Sequence, residues 1–282
     1  MGGRLVVIRN VLKAWALLLG ACAVLGLIGW TLGGYRLLSI FVFCGALLAG
    51  ALYWYADRVA LGLVRARELP VGGAPGLHST IERLAARAGV AKPRLYLIDD
   101  GLPRALATGR GPRGSTLAVS AGLLSAASPA ELEAVLAHEL SHVANRDASV
   151  LTVVAFPRTL GLTLIADEGM AWPVLWLVWP LGLPLWAIGS LLTLTISRYR
   201  EYAADRGSAL LTGSPEELMS ALQKLSDQHI PAGDLRLEGA EAFCIVPART
   251  RRFELFMDHP PLRKRLAALE QLARSLGKPI KP

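Results

Sequence analysis

His138-Glu139-Leu140-Ser141-His142 places two imidazoles four residues apart, with a carboxylate directly after the first. On a helix, residues four apart lie one turn apart on the same face, so both rings reach one metal ion. Zinc accepts imidazole nitrogen and, in catalytic sites, keeps a position open for water. A carboxylate beside it accepts a proton from that water. Chance expects only ~0.004 such patterns in a chain of this composition, which sets the motif well above two surface histidines on an ordinary helix. A catalytic zinc usually needs a third protein ligand. His78 and His229 stand in ordinary helical contexts and read as surface residues. Glu201 is the better candidate, with Asp205 four residues on and on the same helix face. Asp205 would then accept the second N–H of a ligand histidine. A solvated Glu/Asp/Arg helix face is the alternative for this stretch, and spacing alone does not separate the two.

The elements that must position these residues are also readable. Ser128-Pro129-Ala130-Glu131 is a capping box with proline at the first helical position. It starts a helix over about 129–145, expected to run on into the next apolar segment. Upstream, Leu77, Ile81, Leu84 and Ala85 share one face of a helix near 77–89. Residues 94–99, 104–108 and 115–120 read as strands, the last two separated by a Gly/Pro/Arg turn. Downstream, 198–212 reads as helical, and Ser214-Pro215-Glu216-Glu217 opens a helix to about 228. Residues 229–258 are irregular, and a basic amphipathic helix over about 261–276 closes the chain.

The whole chain has 282 residues, net charge +8, 53% hydrophobic and only 18% charged residues. A soluble domain carries about 25% charged residues, so this composition leans toward lipid. Mean hydropathy of +0.42 agrees. Four runs, roughly 14–33, 37–56, 148–166 and 171–196, are long and apolar enough to span a bilayer, which takes ~20 residues. The first reads as an uncleaved anchor, because a second span follows after only Gly34, Tyr35 and Arg36. The 34–36 link holds one basic residue and the 167–170 link only Asp167 and Glu168, whereas the other polar regions are rich in Lys and Arg. The positive-inside bias therefore puts both termini and both polar regions in the cytoplasm. The expected fold is an α-helical membrane protein of about four transmembrane helices with a split α+β, zincin-like cytoplasmic protease domain. Its parts are an N-terminal hairpin over 1–56, a first domain piece over 57–147, a second hairpin over 148–196 and a second domain piece over 197–282. His142 and Glu201 each lie five residues from the end of a span, or ~7–8 Å above the membrane at 1.5 Å per residue, so they can meet at one height. No basic stripe interleaved with aromatics suggests nucleic-acid binding. Three cysteines, two of them (Cys22, Cys44) in apolar runs, exclude a disulfide scaffold.

Several ordered motifs make the chain resemble the HtpX-type membrane zinc metalloproteases, gluzincins related to the CaaX prenyl proteases. They are His138-Glu139-x-x-His142-Val143-x-Asn145-x-Asp147, Ser197-Arg198-x-Arg200-Glu201-Tyr202-x-Ala204-Asp205 and His259-Pro260-Pro261-Leu262-x-Lys264-Arg265, with Ala105–Gly109 and 117–124 besides. The resemblance implies one zinc ion per chain, held by His138, His142 and Glu201, with Glu139 as general base. Asn145 and Asp147 match the pattern just past the histidines, where they would support the ligands or fix the helix end. His259 either precedes the final helix, with proline at its start, or donates to the oxyanion as the family suggests. Ala105, Leu106 and Ala107 correspond to an edge strand that binds substrate backbone by strand addition. Arg104 departs from the Asn of many relatives, which bears on sequence preference. The implied activity is endopeptidase cleavage of membrane or misfolded polypeptides at the cytoplasmic face, with the lipid bilayer as the other partner. Two other readings stay open: a non-catalytic scaffold stapled by zinc, and an enzyme processing lipidated C-termini. Oligomeric state, physiological substrate and cleavage preference are not legible.

Overall fold

A computed structural model describes residues 64–109, 114–166, 172–226 and 260–277, with scattered positions between 27 and 62. The chain divides into two compact units, one of Met1–Tyr55 with Ser149–Ile196, the other of Ala56–Ala148 with Ser197–Pro282.

In the second unit the chain enters through a short strand β1 (Arg67–Glu68) and forms helix α1 (Pro75–Ala88). Pro75 suits the first turn, where its missing N–H has no helical partner to lose. Gly89 ends α1 in the left-handed region, φ 68°, returning its N–H to Ala86 O. Three strands follow: β2 (Arg94–Ile98), β3 (Ala105–Gly109) and β4 (Ser115–Ser120). They agree with the sequence pattern to within a residue, while β1 escaped it because two residues carry no alternation. The sheet order is β1-β2-β4-β3, parallel between β2 and β4 and antiparallel elsewhere. All six residues of β4 are buried, as a central strand covered on both faces requires. Among the described residues β3 is terminal in the sheet, and it packs against the helix that carries the histidine pair.

A short helix α2 (Ala121–Ala126), capped by Ser120, leads to α3 (Pro129–Ala144). The capping box of α3 forms on both sides: Glu131 N–H donates to Ser128 Oγ at 3.2 Å and Ser128 N–H to Glu131 Oε2 at 2.7 Å. Ile81 and Leu84 of α1, Leu95, Leu117, Leu123, and Leu136 and Leu140 of α3 make the core, joined by Leu218 and Leu222 of helix α6 (Pro215–Ser226) and Leu269 of helix α7 (Leu262–Ser275).

The expectation that α3 runs on unbroken is corrected. It stops at Ala144 with Asn145 as C-cap, Arg146 adopts φ 58°, and a new helix α4 (Asp147–Ala166) begins. A positive φ at a non-glycine residue carries strain of about 1–2 kcal/mol and needs a reason. The reason lies in the next section.

Helix α5 runs from Trp172 to Thr212 as a single element, so the 198–212 segment is its last part rather than a separate helix. Within the first unit, a Cβ on Gly161 would run into the backbone of Trp186 and Gly182, and one on Gly189 into the backbone of Arg158. The α4 and α5 backbones therefore meet through glycines. Residues 14–33 and 37–56 lie almost wholly outside the described residues, and among the described residues no helix is long and apolar enough to cross a membrane.

Glu131 does more than cap. Ser220 Oγ donates to it at 2.7 Å and Lys224 Nζ at 3.1 Å, tying α6 to the start of α3. Burial alone would raise its carboxyl, but the Ser128, Ser220 and Lys224 contacts bring it down to about 2. Its folded value is depressed, so its contribution to stability is full above the ordinary value of 4.5 and is lost as pH falls toward 2. Glu131→Gln should cost about 1–2 kcal/mol at neutral pH. In thermal unfolding followed against pH, its gap to wild type should close between pH 4.5 and 2; a gap that is constant with pH would contradict the account.

Candidate active site

His138 and His142 lie one turn apart on α3, their ring centroids 4.7 Å apart and their planes at 89°. The two Nε2 atoms face each other across 3.2 Å. Each Nδ1 points at a carboxylate: His142 Nδ1 is 2.6 Å from Asp147 Oδ2, and His138 Nδ1 is 3.0 Å from Asp205 Oδ1, by an oblique approach. A proton on each Nδ1 is the arrangement those carboxylates favour, and it leaves two Nε2 lone pairs converging. Only a shared proton or a cation relieves that repulsion.

The break at Arg146 now has its cause. Five residues past His142, a continuous helix would turn Asp147 about 140° away from the histidine face. The left-handed residue at 146 interrupts the helical path, and Asp147 Oδ2 lies 2.6 Å from His142 Nδ1. Arg200 Nε, 3.0 Å from Asp147 Oδ1, holds the carboxylate from α5.

Glu201 comes from the same helix as Arg200. Its Oε2 lies 3.6 Å from His138 Nε2 and its Oε1 3.6 Å from His142 Nε2. Ligand atoms of His138, His142 and Glu201 all fall within 4.8 Å of one another, and they form the only such His/Cys/Asp/Glu group among the described residues. Two ligands about 2.05 Å from a tetrahedral ion stand about 3.3 Å apart, so the spacing already suits a divalent metal. Two imidazoles and one carboxylate are a donor set that suits zinc and its first-row neighbours. Glu139 is 6% exposed, on the same helix, one residue after the first histidine.

The crossing of α3 and α5 brings the two motifs together. A Cβ on Gly207 would collide with Ser141 Oγ and lie 2.7 Å from Ser141 Cβ, so only glycine allows this approach. Ser208 Oγ, fully buried, donates to Ala134 O at 2.7 Å, two turns before Ser141 on α3.

Charges around the site are paired in series. Arg265 of α7 is 2% exposed and grips Asp205 with Nε at 2.9 Å and Nη2 at 2.6 Å, while its Nη1 lies 3.3 Å from Glu201 Oε2. Burial would raise the Asp205 carboxyl, but the Arg265 charge and the His138 contact outweigh it and hold it below its ordinary value. Burial would likewise lower His142; the Asp147 hydrogen bond and the Glu201 charge reverse this, and the imidazole is raised.

The expected site residues therefore fall as follows. His138, His142, Glu201, Asp205 and Asp147 come together, and Glu139 is buried on the helix that carries both histidines. Asn145 caps α3, its N–H closing the last turn on Ser141 O. Ala105, Leu106 and Ala107 form β3, with Ala105 and Leu106 buried. His259, like His229, lies outside the described residues. His78, expected at the surface, is buried instead, its Nε2 3.0 Å from Leu69 O. Sequence reasoning missed Arg200, Gly207 and Arg265 as contributors, although Arg200 and Arg265 stand inside the quoted motifs.

Two histidines and a carboxylate facing one point, with a second carboxylate next to the first histidine in sequence, are the layout of a metallopeptidase. Residues 73–273 match the model of peptidase family M48, and the chain belongs to that family of metalloproteases. It is 41% identical over 266 residues to "Protease HtpX homolog" of Moorella thermoacetica, covering 88% of each chain. It is 39% identical over 251 residues to "Protease HtpX homolog 2" of Methanosarcina acetivorans, covering 84% of this chain and 85% of the relative. The crystal structure of S. mikatae Ste24p shares the fold at TM-score 0.53 and 20% identity, over 95% of this chain and 66% of that one.

Gly207→Ala should cost about 1–3 kcal/mol by forcing α3 and α5 apart, despite the ~0.5–1 kcal/mol that alanine gains in a helix. Adding Ser141→Gly should recover part of the loss in thermal unfolding. A Gly207→Ala variant as stable as wild type would show that the crossing does not depend on this contact.

Proposed function

We propose that the chain is a membrane-bound zinc endopeptidase that cleaves membrane or misfolded polypeptides at the cytoplasmic face. The observation that carries this reading is the convergence of His138 Nε2, His142 Nε2 and the Glu201 carboxylate, with Glu139 on the same helix. Zinc held by those three side chains, one ion per chain, would supply Lewis-acid activation of a water and of the scissile carbonyl. Glu139 takes the proton of the attacking water on its carboxylate and returns it to the leaving amine nitrogen. Burial of Glu139 keeps bulk water from competing for that proton. Asp205 and Asp147 orient the two imidazoles through their Nδ1 atoms, so that the Nε2 lone pairs converge. An extended substrate adds to the side of β3 away from β4, which is unpaired among the described residues, with Ala105, Leu106 and Ala107 giving main-chain hydrogen bonds rather than side-chain readout. Such pairing tolerates many sequences, as a protease of misfolded chains requires.

Support for the membrane comes from four apolar runs of about 20 residues and from the Lys/Arg asymmetry of the segments between them. Glycine-mediated contact of α4 with α5 is the packing that helices use in lipid, where close backbone approach replaces the hydrophobic effect. Thr193 and Thr195 return their hydroxyls to the carbonyls of Gly189 and Leu191 four residues back, which satisfies them within the helix. Both termini and the catalytic unit would then lie in the cytoplasm.

Glu139→Gln keeps the shape of the site and removes the base. Purified in detergent, it should bind one zinc per chain while cleavage of an unfolded substrate falls at least ~10²-fold. Cleavage at the wild-type rate would refute the role of Glu139. In the same preparation Glu201→Ala should lose most of its zinc; full zinc retention would refute the ligand assignment.

A further inference from the structure

Helix α7 buries Arg265, Leu269 and Ala273 at successive steps of four. Leu269 and Ala273 are the apolar stripe that docks the helix on the core. An arginine on such a stripe is costly, because removing a guanidinium from water forfeits several kcal/mol that only close pairing offsets. For stability alone, apolar residues in place of the whole Arg265–Asp205 pair would serve as well or better, whereas removing the arginine by itself would strand two buried carboxylates. The arginine therefore calls for a reason beyond packing.

Its contacts supply one. Glu201 and Asp205 lie one turn apart on α5, two buried carboxylates on one face. The Nε and Nη2 edge of Arg265 takes both oxygens of Asp205, while Nη1 lies 3.3 Å from Glu201 Oε2. One planar group thus spans both. We infer that Arg265 is a positioning residue: it fixes the third ligand and the carboxylate behind His138 before any metal arrives, and so sets the affinity of the site. The inference rests on the zinc-site reading above.

Without the guanidinium, the two carboxylates repel each other, and Glu201 loses the contact that Arg265 Nη1 makes with its Oε2. With it, Glu201 keeps one oxygen toward each Nε2, at 3.6 Å. Paired with Asp205, the guanidinium adds no net charge, so it orders the ligand without repelling the cation. A lysine cannot do the same, since a single ammonium lacks the planar fork that grips two oxygens while reaching a third. The last helix is then part of the metal site, although none of its residues is a ligand.

The test compares full-length wild type, Arg265→Lys, Arg265→Met and, as a control on the exposed side of the same helix, Arg274→Ala. Zinc affinity is read by competition with a chromogenic chelator, and thermal midpoints are taken with and without metal. Arg265→Lys should fold with a metal-free midpoint near wild type, bind zinc 10–100-fold more weakly and lose most of the metal-induced rise in midpoint. Arg265→Met should weaken zinc at least as much; if it does not fold, the lysine variant decides alone. Arg274→Ala should match wild type in both readouts. Zinc affinity of Arg265→Lys within twofold of wild type, with or without a lowered metal-free midpoint, would reduce Arg265 to a structural ion pair and overturn the inference while leaving the zinc site intact. Failure of the wild type itself to bind zinc would instead overturn the site and this inference together.

Discussion

Two imidazole nitrogens held 3.2 Å apart, with their outer nitrogens committed to carboxylates, form an arrangement that is unfavourable until a positive charge sits between them. The rest of the catalytic unit can be understood as the means of enforcing it. Helix α3 supplies the four-residue spacing. The left-handed turn at Arg146 brings Asp147 behind one ring, and α5 brings Asp205 behind the other. Glu201 completes the set because α5 crosses α3 closely enough for Gly207 to lie against Ser141. Local strain at one backbone position and a glycine inside a helix both lower stability, and both are retained where the site needs them.

The supporting charges follow one design on either side. His142 is backed by Asp147, and Asp147 by Arg200. His138 is backed by Asp205, and Asp205 by Arg265. Each imidazole stands at the head of a carboxylate–guanidinium pair, which fixes its tautomer without leaving a buried charge uncompensated. The two arginines come from different helices, so the site integrates α3, α4, α5 and α7 rather than resting on one motif.

What was legible in the sequence was whatever depends on local spacing. The capping box at Ser128, the helix it starts and the histidine pair follow from residues within a few positions of each other. Strands β2, β3 and β4 were legible because burial alternates or persists along them. The pairing of Glu201 with Asp205 was visible as a spacing, but whether that face met the histidines or water depended on a helix crossing that no local pattern encodes. No local pattern marks Gly207 as a close-approach point or gives Arg265 its role, because their partners lie 66 and 60 positions away. The break after Ala144 was masked by the apolar run beyond it, which reads as a continuation of the helix. His78 looked like a surface residue because its acceptor, Leu69 O, belongs to the chain entering α1.

The central claim is that His138, His142 and Glu201 bind one divalent ion together. X-ray absorption at the zinc edge of the purified protein tests it most directly. The account predicts a four-coordinate shell of nitrogen and oxygen at about 2.0–2.1 Å, with the outer-shell scattering of two imidazoles, and loss of one oxygen neighbour or of the bound metal in Glu201→Ala. A shell containing sulfur, or one with fewer than two imidazoles, would contradict it.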